Sequence, residues 1–183
     1  MNSHDNVILV DENDNEIGRA NKVDAHRDGG KLHRAVSVFI FNTNVECLLQ
    51  RRANHKYHFP DKWSNACCTH PRPGETNLAA AQRRLHEEMG FSCDLEEVFS
   101  FSYVATCQTG LTEREFDHVF VGRYDGIVKP NPDEASASRW MNRRALTLEL
   151  QQCPETFTPW FRNALPRVLK SWLEFAKIID RQQ

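Results

Sequence analysis

The stretch from residue 52 to 73 constrains this chain more than any other, because it fits no regular element. It is polar, carries several aromatics and is interrupted by Pro60, Pro71 and Pro73. It reads as an ordered loop, and a loop of that length inside a compact domain is usually functional. Within it lies Trp63-Ser64-Asn65-Ala66-Cys67-Cys68-Thr69-His70-Pro71. Adjacent cysteines make a poor structural zinc pair, since such sites separate their thiolates by intervening residues. The segment instead offers one thiol for chemistry and one imidazole for a metal or a proton.

The flanking sequence supplies the elements that must enclose this loop. Residues 7–10 and 16–20 read as one hairpin, and 34–41 with 45–50 as a second, each joined by Asn- or Asp-rich turn residues. Residues 78–89 read as a helix capped by Thr76 or Asn77 and ended by Gly90. Residues 98–106 and 113–124 alternate as strands, 138–141 is a short last strand, and 160–179 is helical with a bend expected at Pro166. Strands with one early helix and a helical C-terminal part predict an α/β (α+β) domain built on an antiparallel or mixed sheet. A length of 183 residues suits a single domain over 1–183.

Bulk properties exclude several function classes. A net charge of −2 gives no general attraction to nucleic acid or anionic membrane. No apolar run approaches the roughly 20 residues of a membrane helix, and residues 1–14 have no signal-type apolar core. Six cysteines with ragged spacing fit a reducing cytoplasm better than a disulfide framework. A cytoplasmic monomer is expected. Trp63, Trp140 and Trp172 are expected in the core.

Acidic residues sit where they need an explanation. Glu113, Glu115 and Asp117 share one strand face, with neighbours about 7 Å apart. They either form a solvated acidic face or share a cation. Glu87 and Glu88 end a helix, where the macrodipole disfavours negative charge; Glu88 either pairs with Arg84 one turn back or binds a metal. His26 and His33 flank Gly29-Gly30 and read as loop residues. Three histidines and two carboxylates could fill a five- or six-coordinate site for magnesium, manganese or zinc.

Several segments then combine. They are Lys22-x3-His26-x6-His33-Arg34-Ala35, Leu48-Leu49-Gln50-Arg51-Arg52-Ala53 with Lys56, and the Trp63–Pro71 segment. Gly74-Glu75-Thr76 follows, then Arg83-Arg84-Leu85-His86-Glu87-Glu88-Met89-Gly90, Tyr103-Val104-Ala105-Thr106, Gly110-Leu111-Thr112-Glu113-Arg114-Glu115 and Thr158-Pro159-Trp160. In this order, over residues 5 to 175, they resemble the type I isopentenyl-diphosphate isomerase family, whose fold is Nudix-like with a mixed sheet sandwiched by helices. The resemblance implies a 1,3-allylic proton shift on a small isoprenoid diphosphate, through a tertiary carbocation.

It also implies residue roles. Cys68 matches the catalytic cysteine, and Cys67 a packing position. Glu115 matches the second catalytic residue, supported by Tyr103. His26, His33, His70, Glu113 and Glu115 match the ligands of one divalent metal (manganese, zinc or magnesium). Glu88 matches the ligand of a magnesium ion that accompanies the diphosphate. Lys22, Arg52, Lys56 and Arg84 match diphosphate contacts, and Trp160 an aromatic lid over the cation. Taken singly, a residue such as Cys68 is more often an inert buried thiol than a catalyst, Trp160 is more often core or helix packing than a lid, and Lys22, Arg52 and Lys56 also fit a solvated basic face. The Asp117-His118 pair receives no role.

Two departures separate the chain from a hydrolysing Nudix box. Thr69 stands at its first glycine, and Arg84 replaces the glutamate of its Arg-Glu pair. Losing that carboxylate removes a metal ligand or base, which weakens the alternative of a nucleoside-diphosphate pyrophosphatase. A non-catalytic metal-binding module is the other alternative.

Overall fold

The structure is a computed structural model that describes residues 6–180; within the last helix, side chains beyond Lys170 other than Glu174 lie outside the description. Trp172, expected in the core, is among the residues so excluded. The strands are β1 (Asn6–Val10), β2 (Glu16–Asn21), β3 (His33–Phe41), β4 (Cys47–Arg52), β5 (Trp63–Ser64), β6 (Cys67–Thr69), β7 (Leu95–Thr106), β8 (Thr112–Arg123) and β9 (Ala135–Met141). The helices are α1 (Lys22–Ala25), α2 (Asn77–Met89), α3 (Arg143–Gln152) and α4 (Pro159–Asp180).

β3 organises the sheet. Almost every residue in it is buried, as expected of a strand covered on both faces. It runs parallel to β8 from His33↔Glu115 to Phe41↔Arg123, and antiparallel to β6 from Val36↔Thr69 to Val38↔Cys67. β7 and β8 form a long antiparallel pair, and β4 pairs with β9. The first hairpin is present as β1–β2. The second closes for a single strand pair, Phe41↔Cys47, with the Asn42 amide donating to the Glu46 carbonyl at 3.1 Å; beyond it β3 and β4 each pair with non-sequential partners. Strand pairing also reaches into the presumed loop, since β5 and β6 lie inside residues 52–73.

Helices cover both faces, and the period-two alternation of β3 sorts its side chains between them. Val36, Val38 and Ile40 pack with Leu85 and Met89 of α2. Phe39 and Phe41 pack with Leu146 of α3 and with Phe161, Leu165 and Val168 of α4. α2 starts where expected, with the Thr76 hydroxyl accepting from the Ala79 amide at 3.1 Å. It ends at Gly90 in the left-handed region, φ 77°, where a Cβ would approach the Lys129 carbonyl to 2.6 Å. Leu78, expected on its apolar face, is exposed. α4 continues through Pro166. α3 was not legible in the sequence; its amphipathic stripe is short, with only Leu146 buried. Trp63 and Trp140 are half-buried at the edges of the two cores rather than inside them.

Candidate active site

One face of the sheet changes character along its length. On β8 the inward residues run Glu113, Glu115, Asp117, then Val119 and Val121. On β3 they run His33, Ala35, Ser37, then Phe39 and Phe41. The parallel register pairs His33 with Glu115 and Ala35 with Asp117, so the polar ends coincide and the apolar ends merge into the α3–α4 core. Across β8, Tyr103 of β7 is the register partner of Glu115. Across β3, Cys68 is the partner of Ser37.

That register divides the cysteine doublet. Cys67 points to the α2 side, wholly buried against Val38 and Leu85. Cys68 points to the polar side, where Asn65 Oδ1 accepts from its thiol at 3.2 Å and the Ser37 hydroxyl lies 3.6 Å away. Ser37 in turn donates to Asp117 Oδ2 at 2.7 Å. Burial, then the nearby Asp117, pushes the Cys68 thiol up to about 12. All six cysteines are free.

His26, His33, His70, Glu113 and Glu115 converge, each offering one ligand atom within 4.8 Å of the others. The two histidines read as loop residues are fixed by secondary structure: His26 caps α1, and His33 opens β3. Their far nitrogens point at backbone carbonyls, His26 Nδ1 2.5 Å from Lys22 O and His33 Nδ1 2.8 Å from Lys31 O. Those contacts turn both Nε2 atoms toward the cluster. His33 Nε2 and His70 Nε2 face each other at 3.1 Å, and His70 Nε2 is 2.8 Å from Glu115 Oε1. Two imidazole nitrogens and a carboxylate aimed at one point, almost without solvent, are what a divalent cation resolves, so the donor set fits a metal.

The charges there are strongly perturbed. Burial alone would raise Glu113, but the hydrogen bonds of His26 and His58 outweigh it and hold the carboxyl well below the ordinary range. Glu115 is likewise lowered: burial and Glu113 oppose ionisation, and His33 and His70 prevail. Burial drops His70 to about 3, so its ring is neutral and able to ligate. Tyr103 donates its hydroxyl to Glu115 Oε2 at 2.5 Å; burial, then Glu115, raises it well above an ordinary phenol.

Glu88 meets the second cluster. It is buried and accepts from Arg84 at 2.8 and 3.1 Å and from Gln50 at 2.9 Å. The ion-pair alternative is thus realised, with burial still raising the Glu88 carboxyl despite Arg84. Arg84 also reaches Glu134 at 3.1 Å, and Lys56 pairs with Glu134. Burial, then Glu113 in opposition, leaves the Lys22 ammonium below its ordinary pKa, with Arg52, Arg84 and Lys56 adding repulsion.

A cavity of about 70 Å³ joins these parts: Cys68, Tyr103, Glu115 and Trp160 line it together with Lys22, Arg52, Lys56, Arg84 and Glu88. Trp160 is buried, its Nε1 donating to the Ser64 hydroxyl at 2.9 Å and its ring 5.3 Å from the Arg52 guanidinium. Each residue to which the resemblance gives a catalytic, metal or substrate role lines this cavity or, for His26 and His33, belongs to the adjoining histidine–carboxylate cluster. Sequence reading passed over His58, whose Nε2 is 2.9 Å from Glu113 Oε1, and Glu134, which holds two of the basic residues. It also passed over Ser37, and it placed Asp117 on the Glu115 face without giving it a role beside Cys68. Only the period-two pattern that placed Asp117 on the Glu115 face pointed to any of them.

Comparison with known proteins agrees with this geometry. The NUDIX domain model matches residues 31–161. Isopentenyl-diphosphate Delta-isomerase 2 of Aromatoleum aromaticum is 50% identical over 90% of this chain and 87% of its own length. Isopentenyl-diphosphate Delta-isomerase of Serratia proteamaculans is 51% identical over 85% of this chain and 86% of its own. A crystal structure of a Deinococcus radiodurans protein shares the fold, with a TM-score of 0.74 at 22% identity over 88% of this chain and 98% of that one. Since the domain match covers most of the sheet and half of all aligned residues agree with named isomerases along nearly the full length, the chain belongs to the NUDIX domain family and, within it, to the isopentenyl-diphosphate Delta-isomerases.

Proposed function

We propose that this chain, as one domain, interconverts isopentenyl diphosphate and dimethylallyl diphosphate in isoprenoid precursor synthesis. The single observation that carries the reading is the shared cavity. Cys68 and Glu115 both line it from different strands of one sheet face, under a buried tryptophan and beside a cluster of cations.

An allylic shift adds a proton at one carbon and removes one from another, so it is neutral overall and needs one donor and one acceptor. The residues provide both. Cys68 holds its proton at neutral pH, and Glu115 is ionised. The two exchange roles when the reaction reverses. Tyr103 fixes the orientation of Glu115 through its hydroxyl. Trp160 offers a π face to the cationic carbon, a contact worth about 2 kcal/mol when desolvated, and closes the cavity against water. Lys22, Arg52, Lys56 and Arg84 bind the diphosphate, and that remote binding energy positions a small alkene with no polar handle of its own.

The His26-His33-His70-Glu113-Glu115 set would hold a divalent ion that fixes Glu115 and tunes its proton affinity, and Glu88 would hold a magnesium ion that neutralises diphosphate charge. We assign manganese, zinc or magnesium to the first site. We also infer a cytoplasmic monomer without nucleic-acid or membrane partners; no described helix is long and apolar enough to cross a membrane. Incubating metal-loaded protein with isopentenyl diphosphate and measuring acid-labile allylic product tests the function. Product is expected, and phosphate release from nucleoside diphosphates is not. The reverse result would reinstate the hydrolase alternative.

A further inference from the structure

The cavity continues outward past the residues assigned above. A second space of about 300 Å³ shares Lys22, Lys56, Cys68, Thr69, His70, Arg84 and Glu134 with the first and opens toward Asn6, Val7, Arg72 and Arg83. Its cations are not equivalent. Lys56 is held by Glu134, and Arg84 by Glu87, Glu88 and Glu134. Arg83 forms a two-pronged pair with Glu75, Nε to Oε1 at 2.7 Å and Nη2 to Oε2 at 2.9 Å.

Arg72 differs. Its backbone is clamped: its amide donates to Glu75 Oε2 at 2.9 Å, and its carbonyl accepts the Glu75 amide at 2.8 Å. The clamp closes a turn through Gly74, whose φ of 85° is left-handed. Arg72 is half-buried, lines the outer space and, like Lys22 but unlike Lys56, Arg83 and Arg84, forms no ion pair among the described residues, although its charge helps to lower the Glu75 carboxyl. Glu75 thus satisfies Arg83 and fixes the Arg72 backbone, leaving the Arg72 fork available to a planar or tetrahedral oxyanion.

We propose that Arg72 binds the outer phosphate of the substrate diphosphate, and so makes the site select diphosphates over monophosphates. The inference rests on the isomerase reading for its substrate class. The cations shared by both spaces, Lys22, Lys56 and Arg84, hold the inner phosphate next to the reacting end; at the outer end Arg83 is tied to Glu75, and Arg72 is left to bind. Being remote from the reacting carbons, it contributes equally to ground and transition states, so its loss raises KM and spares kcat.

Calorimetric titration of the metal-loaded protein with inorganic pyrophosphate and with inorganic phosphate tests this. Wild type, Arg72→Gln and Arg72→Lys are compared, with melting temperatures measured alongside. Arg72→Gln is expected to weaken pyrophosphate about tenfold and phosphate less than about twofold, with Arg72→Lys recovering part of the loss. In turnover, KM for the isoprenoid diphosphate rises by a similar factor and kcat stays within about twofold. Equal pyrophosphate affinity in wild type and Arg72→Gln, or an equal loss for phosphate, would overturn the assignment of Arg72 alone. No pyrophosphate binding to wild type would overturn the diphosphate reading and this inference with it.

Discussion

Tyr103 and Glu115 are register partners across the β7–β8 pair, and the tyrosine hydroxyl donates to one carboxylate oxygen while the other faces His70 at 2.8 Å. Both oxygens are thus committed before substrate arrives, one to orientation and one to the histidine cluster.

Replacing the hydroxyl should loosen that orientation. Tyr103→Phe is expected to lower kcat by about ten- to a hundredfold with KM little changed, since the lost bond acts on the reacting group. Its cost in stability should be about 1–2 kcal/mol, from a buried carboxylate oxygen left without its donor. Steady-state kinetics and thermal melting check both; an unchanged kcat would remove Tyr103 from the mechanism.

The converging histidines and carboxylates make the protein dependent on an ion. At free metal about a hundredfold above Kd, binding to the folded state adds about 2.7 kcal/mol. Exhaustive chelation should therefore lower the melting temperature and abolish turnover, and divalent metal should restore both. Scanning calorimetry with elemental analysis reads this out, and a melting curve indifferent to chelator would contradict the assignment.

Asp117 is buried beside Glu115, and burial, then the charge of Glu115, pushes its carboxyl well above the ordinary range. That environment favours its protonated form, which Asp117→Asn mimics while keeping an acceptor for Ser37. That variant should stay within about 1 kcal/mol of wild type, while Asp117→Ala, which strands the Ser37 hydroxyl, should cost about 1–3 kcal/mol. Denaturant unfolding distinguishes the two; equal losses would mean that Asp117 is ionised.

Glu75 supports the turn that presents Arg72. Its hydrogen bond with Arg83 lowers its carboxyl below 4.5 in the folded protein. The stabilisation is therefore fully present above pH 4.5 and fades as pH falls through the lower folded-state value. Glu75→Gln should cost about 1–2 kcal/mol at pH 7, and the gap to wild type should narrow in acid. Unfolding curves at both pH values check the sign; a gap that widens in acid would contradict it.

Sequence and structure diverge where non-sequential pairing decides. α2 was legible because its cap, apolar spacing and terminal glycine all lie within its own residues. The early parting of the β3–β4 hairpin was not, because nothing local says that β3 will choose β8 and β6. The same pairing explains the site. Adjacent thiols are forced to opposite faces only once β6 is a strand, so Cys67 and Cys68 look alike in a presumed loop and differ in the sheet. His58 and Glu134 were invisible because each matters through a partner far along the chain.

Cys68→Ala, assayed beside wild type for allylic product with both proteins metal-loaded and shown by melting to be folded, tests the central claim most directly. Cys68 is half-buried on the cavity wall, so the substitution removes a small side chain and leaves the sheet intact. Wild type is expected to give product and the variant none above background. Equal product from both proteins would contradict that claim.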